Sequence, residues 1–293
     1  MVISTAMTSR FCSPITLLLP ALFVMVLSGV IPACFVAFYS VHDTFSGNSF
    51  VWVGADWYVN VLTSREFWWA FARSLGFAFL ALVVQIPLGI YIALRIPASG
   101  RLAATYIILL AIPLLAPAIV VGYLWKVIST PGVGLLPGLT GLVGLGYDMN
   151  NPLVVWMTLL LMDCWHWTSL VVLLCYAGLR SIPQAYYQAA RIDGAGSWAV
   201  FRNIQLPKLR LVLLIAVLLR LMDSFMIYAE AYVVTRGGPG VSTTFLSHEL
   251  IQTATIQFDL GEGGAMAIIY LAIVLAVSWM FFSLIVPSPR RPA

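Results

Sequence analysis

A small set of chemically capable side chains lies inside runs that are otherwise apolar: Asp163, His166 and Trp167 in one, Arg220, Asp223, Tyr228 and Glu230 in another. Ionisable groups are costly in lipid, so they pair with one another or line a route for ions and polar solutes. On a helix, Asp163 and Trp167 are four apart and share a face, and Arg220 and Asp223 are three apart and can form an ion pair. Asp223 and Glu230 are seven apart and share a face. One reading makes Arg220–Asp223 a link between helices. Another makes Asp163, His166, Trp167, Asp223, Tyr228 and Glu230 the lining of a translocation pathway, where hydroxyl-rich solutes meet hydrogen-bonding groups and aromatic faces. The same acids also suit a proton relay.

Enzyme chemistry finds little support. The histidines, His42, His166 and His248, are far apart in sequence. Neither H-E-x-x-H nor a nucleotide-binding G-x-x-x-x-G-K-[ST] occurs. The glycine-rich stretch from Gly132 to Gly146 lacks the Lys-Ser/Thr of a phosphate loop and reads as a flexible outer loop. Cys12, Cys34, Cys164 and Cys175 show no C-x-x-C pairing and read as small apolar residues, with no metal site or disulfide framework.

The elements that must position these groups are membrane helices. The chain has 293 residues, 61% hydrophobic and 9% charged, against roughly 25% charged in soluble domains. Its mean hydropathy is +0.98. A net charge of +4 spread over short loops does not form a nucleic-acid-binding face. Six runs are long enough for the ~20 apolar residues a spanning helix needs: near Pro14–Tyr39, Ser74–Leu94, Ala103–Trp125, Leu153–Ala177, Leu211–Val234 and Ala265–Val286. The run after Arg10 exceeds the core of a signal peptide and reads as a retained helix. The expected fold is therefore an all-α membrane protein of six transmembrane helices in a single domain spanning residues 1–293. Pro113 and Pro117 predict a kink in the third span.

With the N-terminus inside, Arg10, Arg95, Arg101, Arg180, Arg191, Arg202, Lys208, Arg210, Arg290 and Arg291 fall on the cytoplasmic side. Arg65, Arg73, Lys126 and Arg236 fall outside. This positive-inside bias places both termini in the cytoplasm. Residues 180–210 then form the longest cytoplasmic loop. Ser181, Pro183 and Gln184 read as a helix start, with Ser181 as cap. Gly194 supplies a left-handed turn. Ser197 is expected to cap a second helix that ends at Leu206-Pro207.

Within that loop, Gln188-Ala189-Ala190, three residues, Gly194, nine residues, Ile204, one residue and Leu206-Pro207 reproduce a known spacing, with Asp193-Gly194-Ala195 at its centre. The pattern resembles the signature loop of permease subunits of binding-protein-dependent ABC importers, with Gln188 where that family usually has Glu. The six spans and the Arg236-Gly237-Gly238-Pro239-Gly240 run after the fifth extend the resemblance over the chain. It is similar to the carbohydrate-uptake branch, and the stretches around Asp163 and Asp223 resemble permeases of glycerol or polyol uptake. The resemblance implies a bacterial inner-membrane subunit that binds no cofactor itself. It implies a second permease, two ATPase subunits that bind ATP and Mg²⁺, and an extracytoplasmic solute-binding protein as partners. It makes the first loop helix a coupling helix, with Tyr186, Gln188, Ala189, Ala190, Asp193, Gly194 and Ala195 meeting the ATPase. Two rivals stand beside it: an ion-coupled secondary carrier or channel using Asp163, Asp223 and Glu230, and a membrane-embedded enzyme.

Overall fold

The computed structural model describes residues 14–44, 49–142 and 144–285. Arg10, Cys12, Val286, Arg290 and Arg291, used above to place spans, orientation and small apolar positions, lie outside them. The chain is mostly helical and divides into two compact units. One comprises the described residues up to Val61 with Thr253–Tyr270; the other comprises Leu62–Gln252 with the described residues from Leu271 onward.

In the first unit, α1 (Pro14–Met25) and α2 (Ile31–Tyr39) are joined by a π turn, Val26–Val30. Phe23, Phe35 and their apolar neighbours point outward along its length, as on a helix solvated by lipid. A two-residue hairpin of β1 (His42–Asp43) and β2 (Val51–Trp52) follows, then α3 (Asp56–Thr63). The Trp57 indole N–H donates to the His42 carbonyl at 3.2 Å, and the Tyr58 hydroxyl donates to Ser40 Oγ at 2.8 Å. The start of α14 (Leu260–Ile285) approaches closely enough that a Cβ at Gly264 would sit 3.0 Å from the Ser40 nitrogen.

The second unit is built on three helices: α4 (Arg65–Arg95), α8 (Pro152–Arg180) and α11 (Leu206–Phe225). Each packs on the other two. At Gly89 a Cβ would collide with the Val171 side chain, which explains how α4 and α8 come so close. Two apolar cores form. Phe77, Leu159, Met162, Ile227 and Phe245 belong to one; Ala93, Val171, Cys175, Leu179 and Leu209 belong to the other. Of the described cysteines only Cys175 is fully buried, while Cys34 is exposed.

Among the described residues, four helices are long and apolar enough to cross a membrane: Leu18–Tyr39, Arg65–Arg95, Pro152–Arg180 and Leu260–Leu284. Two bent pairs raise the number to as many as six. The expected proline kink is a break: α5 (Arg101–Leu114) meets α6 (Ala118–Ser129) at 89°. Pro113 and Pro117 lack the N–H that would continue the ladder. The freed Ala116 carbonyl faces His166 Nε2 at 3.2 Å.

A second break was not foreseen. Ser197–Phe225 and α12 (Ala229–Thr235) meet at 44°. Asp223 and Glu230 therefore do not share the face of one helix. The Ile227 carbonyl accepts from Ser247 Oγ at 2.5 Å, and the loop that follows is tied to α4 and α8. Arg73 Nε donates to the Thr244 carbonyl at 2.7 Å, the Leu246 N–H to Ser74 Oγ at 2.8 Å, and Trp156 Nε1 to the Ser242 carbonyl at 2.9 Å. Irregular backbone between spans survives when protein groups satisfy it in this way. After α6 the glycine-rich stretch contains a short helix, α7 (Leu135–Leu142), and α13 (Leu246–Ile251) precedes the last span.

Candidate functional sites

The interior site is a polar cluster bounded by the two apolar cores. Arg220 is 0% exposed and Asp163 is 2% exposed. Every nitrogen of the guanidinium is engaged: Nη2 reaches Asp163 Oδ2 at 2.8 Å and donates to Ser224 Oγ at 2.7 Å, Nη1 reaches Asp223 Oδ2 at 2.6 Å, and Nε donates to Gln85 Oε1 at 2.7 Å. The Gln85 amide closes the circuit by donating to Asp163 Oδ2 at 2.6 Å. Trp167 lies under the guanidinium at 5.0 Å. Each connection follows from chemistry: a buried carboxylate and guanidinium persist in low dielectric only when paired and hydrogen-bonded. The expected Arg220–Asp223 pair is present. Its extension to Asp163 and Gln85, on two other helices, was not read from the sequence. Gln85 is an uncharged amide in an apolar run, and that isolation was its one signal.

The remaining interior candidates are distributed around this cluster. His166 stacks obliquely on Trp167, ring centres 4.8 Å apart, and neither His166 Nδ1 nor Trp167 Nε1 has a hydrogen-bond partner among the described residues. Tyr228 stacks on Tyr232 at 5.4 Å, and the His248 ring meets both edge-on. Glu230 is buried in the first turn of α12, where Gly122 lets α6 approach. Outside the spans, burial pushes the Glu249 carboxyl above its usual range while the Arg73 charge opposes the shift. Burial pushes the His248 imidazole down.

The exterior site is the helical hairpin. α9 (Gln184–Ile192) ends in a turn whose geometry explains its glycine. The Ala195 N–H donates to the Ala190 carbonyl at 2.9 Å, and the Gly194 N–H to the Arg191 carbonyl at 3.2 Å. This paired closure needs a left-handed residue at Gly194, whose φ is +66°. Ala190 is buried, while Tyr186, Gln188, Ala189, Asp193, Gly194 and Ala195 are exposed. Lys208 Nζ covers the Tyr186 ring at 4.6 Å.

Two large apolar side chains stand out of the hairpin: Ile192, 87% exposed, and Trp198, 70% exposed. Ile192 carries no signal in the sequence because it sits in the centre of the signature and reads as a packing residue.

Three details differ from expectation. Ser181 Oγ donates back to the Gly178 carbonyl at 2.8 Å instead of capping α9. The residue before α10 (Ser197–Val200) is Gly196, so Ser197 lies inside the helix. Pro207 does not end it either. A π turn, Phe201–Gln205, widens the helix just ahead of the proline, and the chain continues as helix from Ser197 to Phe225.

This arrangement, a bundle of membrane-length helices with an exposed helical hairpin of fixed spacing, is that of a transport subunit, and the comparisons agree. The chain belongs to the family described as "Binding-protein-dependent transport system inner membrane component", whose profile matches residues 85–291. It is 30% identical over 273 residues to the trehalose/maltose transport system permease protein MalF of Thermococcus litoralis, covering 90% of each chain. It is 28% identical over 245 residues to the trehalose transport system permease protein SugA of Mycobacterium tuberculosis, covering 81% of this chain and 76% of that one. Its fold is similar to a chain in the crystal structure of a bacterial ABC transporter involved in alginate import, with a TM-score of 0.76, 20% identity, and 92% and 94% of the two chains covered.

Proposed function

We propose that this protein is the permease subunit of an ATP-driven importer of a carbohydrate, with six spans and both termini in the cytoplasm. Beside it in the assembly stand a second permease, two ATPase subunits that bind ATP and Mg²⁺, and an extracytoplasmic solute-binding protein. The carrying observation is the hairpin itself. Its glycine-closed turn, small residues and exposed Ile192 and Trp198 form an apolar knob suited to a groove in an ATPase, since buried aromatic and aliphatic anchors dominate interface energy. Tyr186, Gln188, Ala189, Asp193, Gly194 and Ala195 make up the coupling surface, with Ala190 buried behind it and Gln188 keeping hydrogen bonding without charge.

Asp163, His166, Trp167, Asp223, Tyr228 and Glu230 flank the route of the solute. Support comes from His166 Nδ1 and Trp167 Nε1, which have no hydrogen-bond partner among the described residues, and from the Asp223 side chain, still 42% exposed beside its arginine. The trehalose and maltose in the relatives' names favour an oligosaccharide over the glycerol or polyol suggested by the narrower resemblance. An ion-coupled carrier is less well supported, because Asp163 and Asp223 are both committed to Arg220.

The test is Ala189→Trp in the reconstituted complex with its ATPase. The expected outcome is normal folding with loss of binding-protein-stimulated ATP hydrolysis and uptake. Uptake that persists in the variant and collapses with an ion gradient would overturn the proposal in favour of a carrier.

A further inference from the structure

Behind the coupling hairpin lies a cavity of about 730 Å³. Its rim carries three guanidinium groups, Arg95, Arg180 and Arg191, and among the described residues no acidic side chain lines it. Among the described residues none of the three arginines takes part in an ion pair. Arg95 is the last residue of α4 and Arg180 the last of α8, so two of the charges stand where membrane helices leave the lipid. Aromatic neighbours hold both in place: Arg95 lies over the Tyr91 ring at 4.8 Å and Arg180 over the Tyr176 ring at 5.4 Å. The third charge comes from α9. Between them the wall is apolar, with Leu94, Leu179, Ile182 and Phe201. The site thus combines concentrated positive charge at headgroup depth with an oily floor.

We infer that this cavity binds the headgroup of an anionic phospholipid, its phosphate among Arg95, Arg180 and Arg191 and its glycerol and upper acyl chains against the apolar wall. Basic pockets between helices at the cytoplasmic surface suit such headgroups. Their arginines present planar donors matched to phosphate oxygens. Because Ala190 and Ala195 of the hairpin line the same cavity, a bound lipid braces the coupling helix from behind. The inference rests on the orientation proposed above.

The experiment uses the assembled complex in vesicles of phosphatidylcholine, with or without phosphatidylglycerol. Native mass spectrometry reads the lipid retained, and ATP hydrolysis is read in parallel. Wild type should retain phosphatidylglycerol and hydrolyse ATP faster in its presence. Each arginine-to-glutamine change should weaken retention about fivefold, and the triple variant roughly a hundredfold, at the ~1 kcal/mol expected per basic residue. Ala98→Trp, which fills the cavity and leaves the charges in place, should displace the lipid as well and guards against misfolding of the triple variant. Equal retention by wild type, the triple variant and Ala98→Trp overturns the site. So does full stimulation by inorganic phosphate in phosphatidylcholine vesicles, which would make the ligand a free anion. Lipid retention requires neither ATP nor a docked ATPase. A complex that keeps the lipid but fails to couple would therefore count against the transport mechanism and leave the site intact.

Discussion

The interior polar cluster and the exterior hairpin use similar residue types to opposite ends. Inside, Gln85, Asp163, Arg220, Asp223 and Ser224 turn toward one another, and every donor of consequence on Arg220 meets an acceptor. Outside, Ile192 and Trp198 face away from the chain, and the arginines at its base carry no ion pair among the described residues. The contrast teaches where to look for function in a membrane subunit. Groups that satisfy each other hold helices together. Groups that the fold leaves unsatisfied, or apolar ones it leaves uncovered, are addressed to something else.

Substitutions can break that contrast. The largest effect is expected from Arg220→Met, which strands the buried Asp163 carboxylate and costs about 3–5 kcal/mol. Thermal unfolding in detergent should show it, with partial recovery in Arg220→Met/Asp163→Asn. A single variant that melts with wild type would mean the cluster holds nothing together. Gly89→Ala places a methyl against Val171 and should cost about 1–3 kcal/mol through overpacking of α4 on α8, read in the same assay. Gly194→Ala meets no atom of the described residues within 4 Å, so the left-handed backbone sets the penalty, about 1 kcal/mol.

Trp198→Ala sharpens the comparison from the other side. Stability should change by less than about 0.5 kcal/mol, while ATPase docking, measured by titration, weakens at least about tenfold. A docking constant equal to wild type would remove Trp198 from the interface.

The smallest effect is a pH dependence. Burial raises the folded-state pKa of Glu249, so its contribution to stability is fully present in acid and is lost as pH rises through the folded pKa. Glu249→Gln lacks that loss. Its melting temperature relative to wild type should climb from acid to neutral pH. A flat difference would show that Arg73 cancels the burial.

The helical membrane class was legible in the sequence because apolar runs declare themselves by length and composition. The Arg220–Asp223 pair was legible for the same kind of reason: three residues on one helix fix a distance. Gly194 was legible because few residues tolerate its backbone. Pro113 and Pro117 announced the first broken span. The second break, at Met226–Tyr228, carried no proline or glycine. It is held by tertiary bonds such as Ser247 to Ile227, which no local pattern contains. Gln85 joins a partner 135 positions away, and the period of a helix says nothing about which helices touch. The hairpin's second helix was read as stopping at Pro207 because a proline usually interrupts the ladder; a single wide turn absorbed it instead.

That continuity has a mechanical consequence. From Ser197 to Arg220 the backbone is one stiff rod, about 35 Å long at 1.5 Å per residue. A rod does not dissipate a push applied at its foot. Whatever displaces the hairpin must shift the arginine at the far end by a comparable amount, straining its bonds to Gln85 and Asp163 on the two neighbouring helices. In the coupling role proposed above, the cluster would be the latch that the lever has to open.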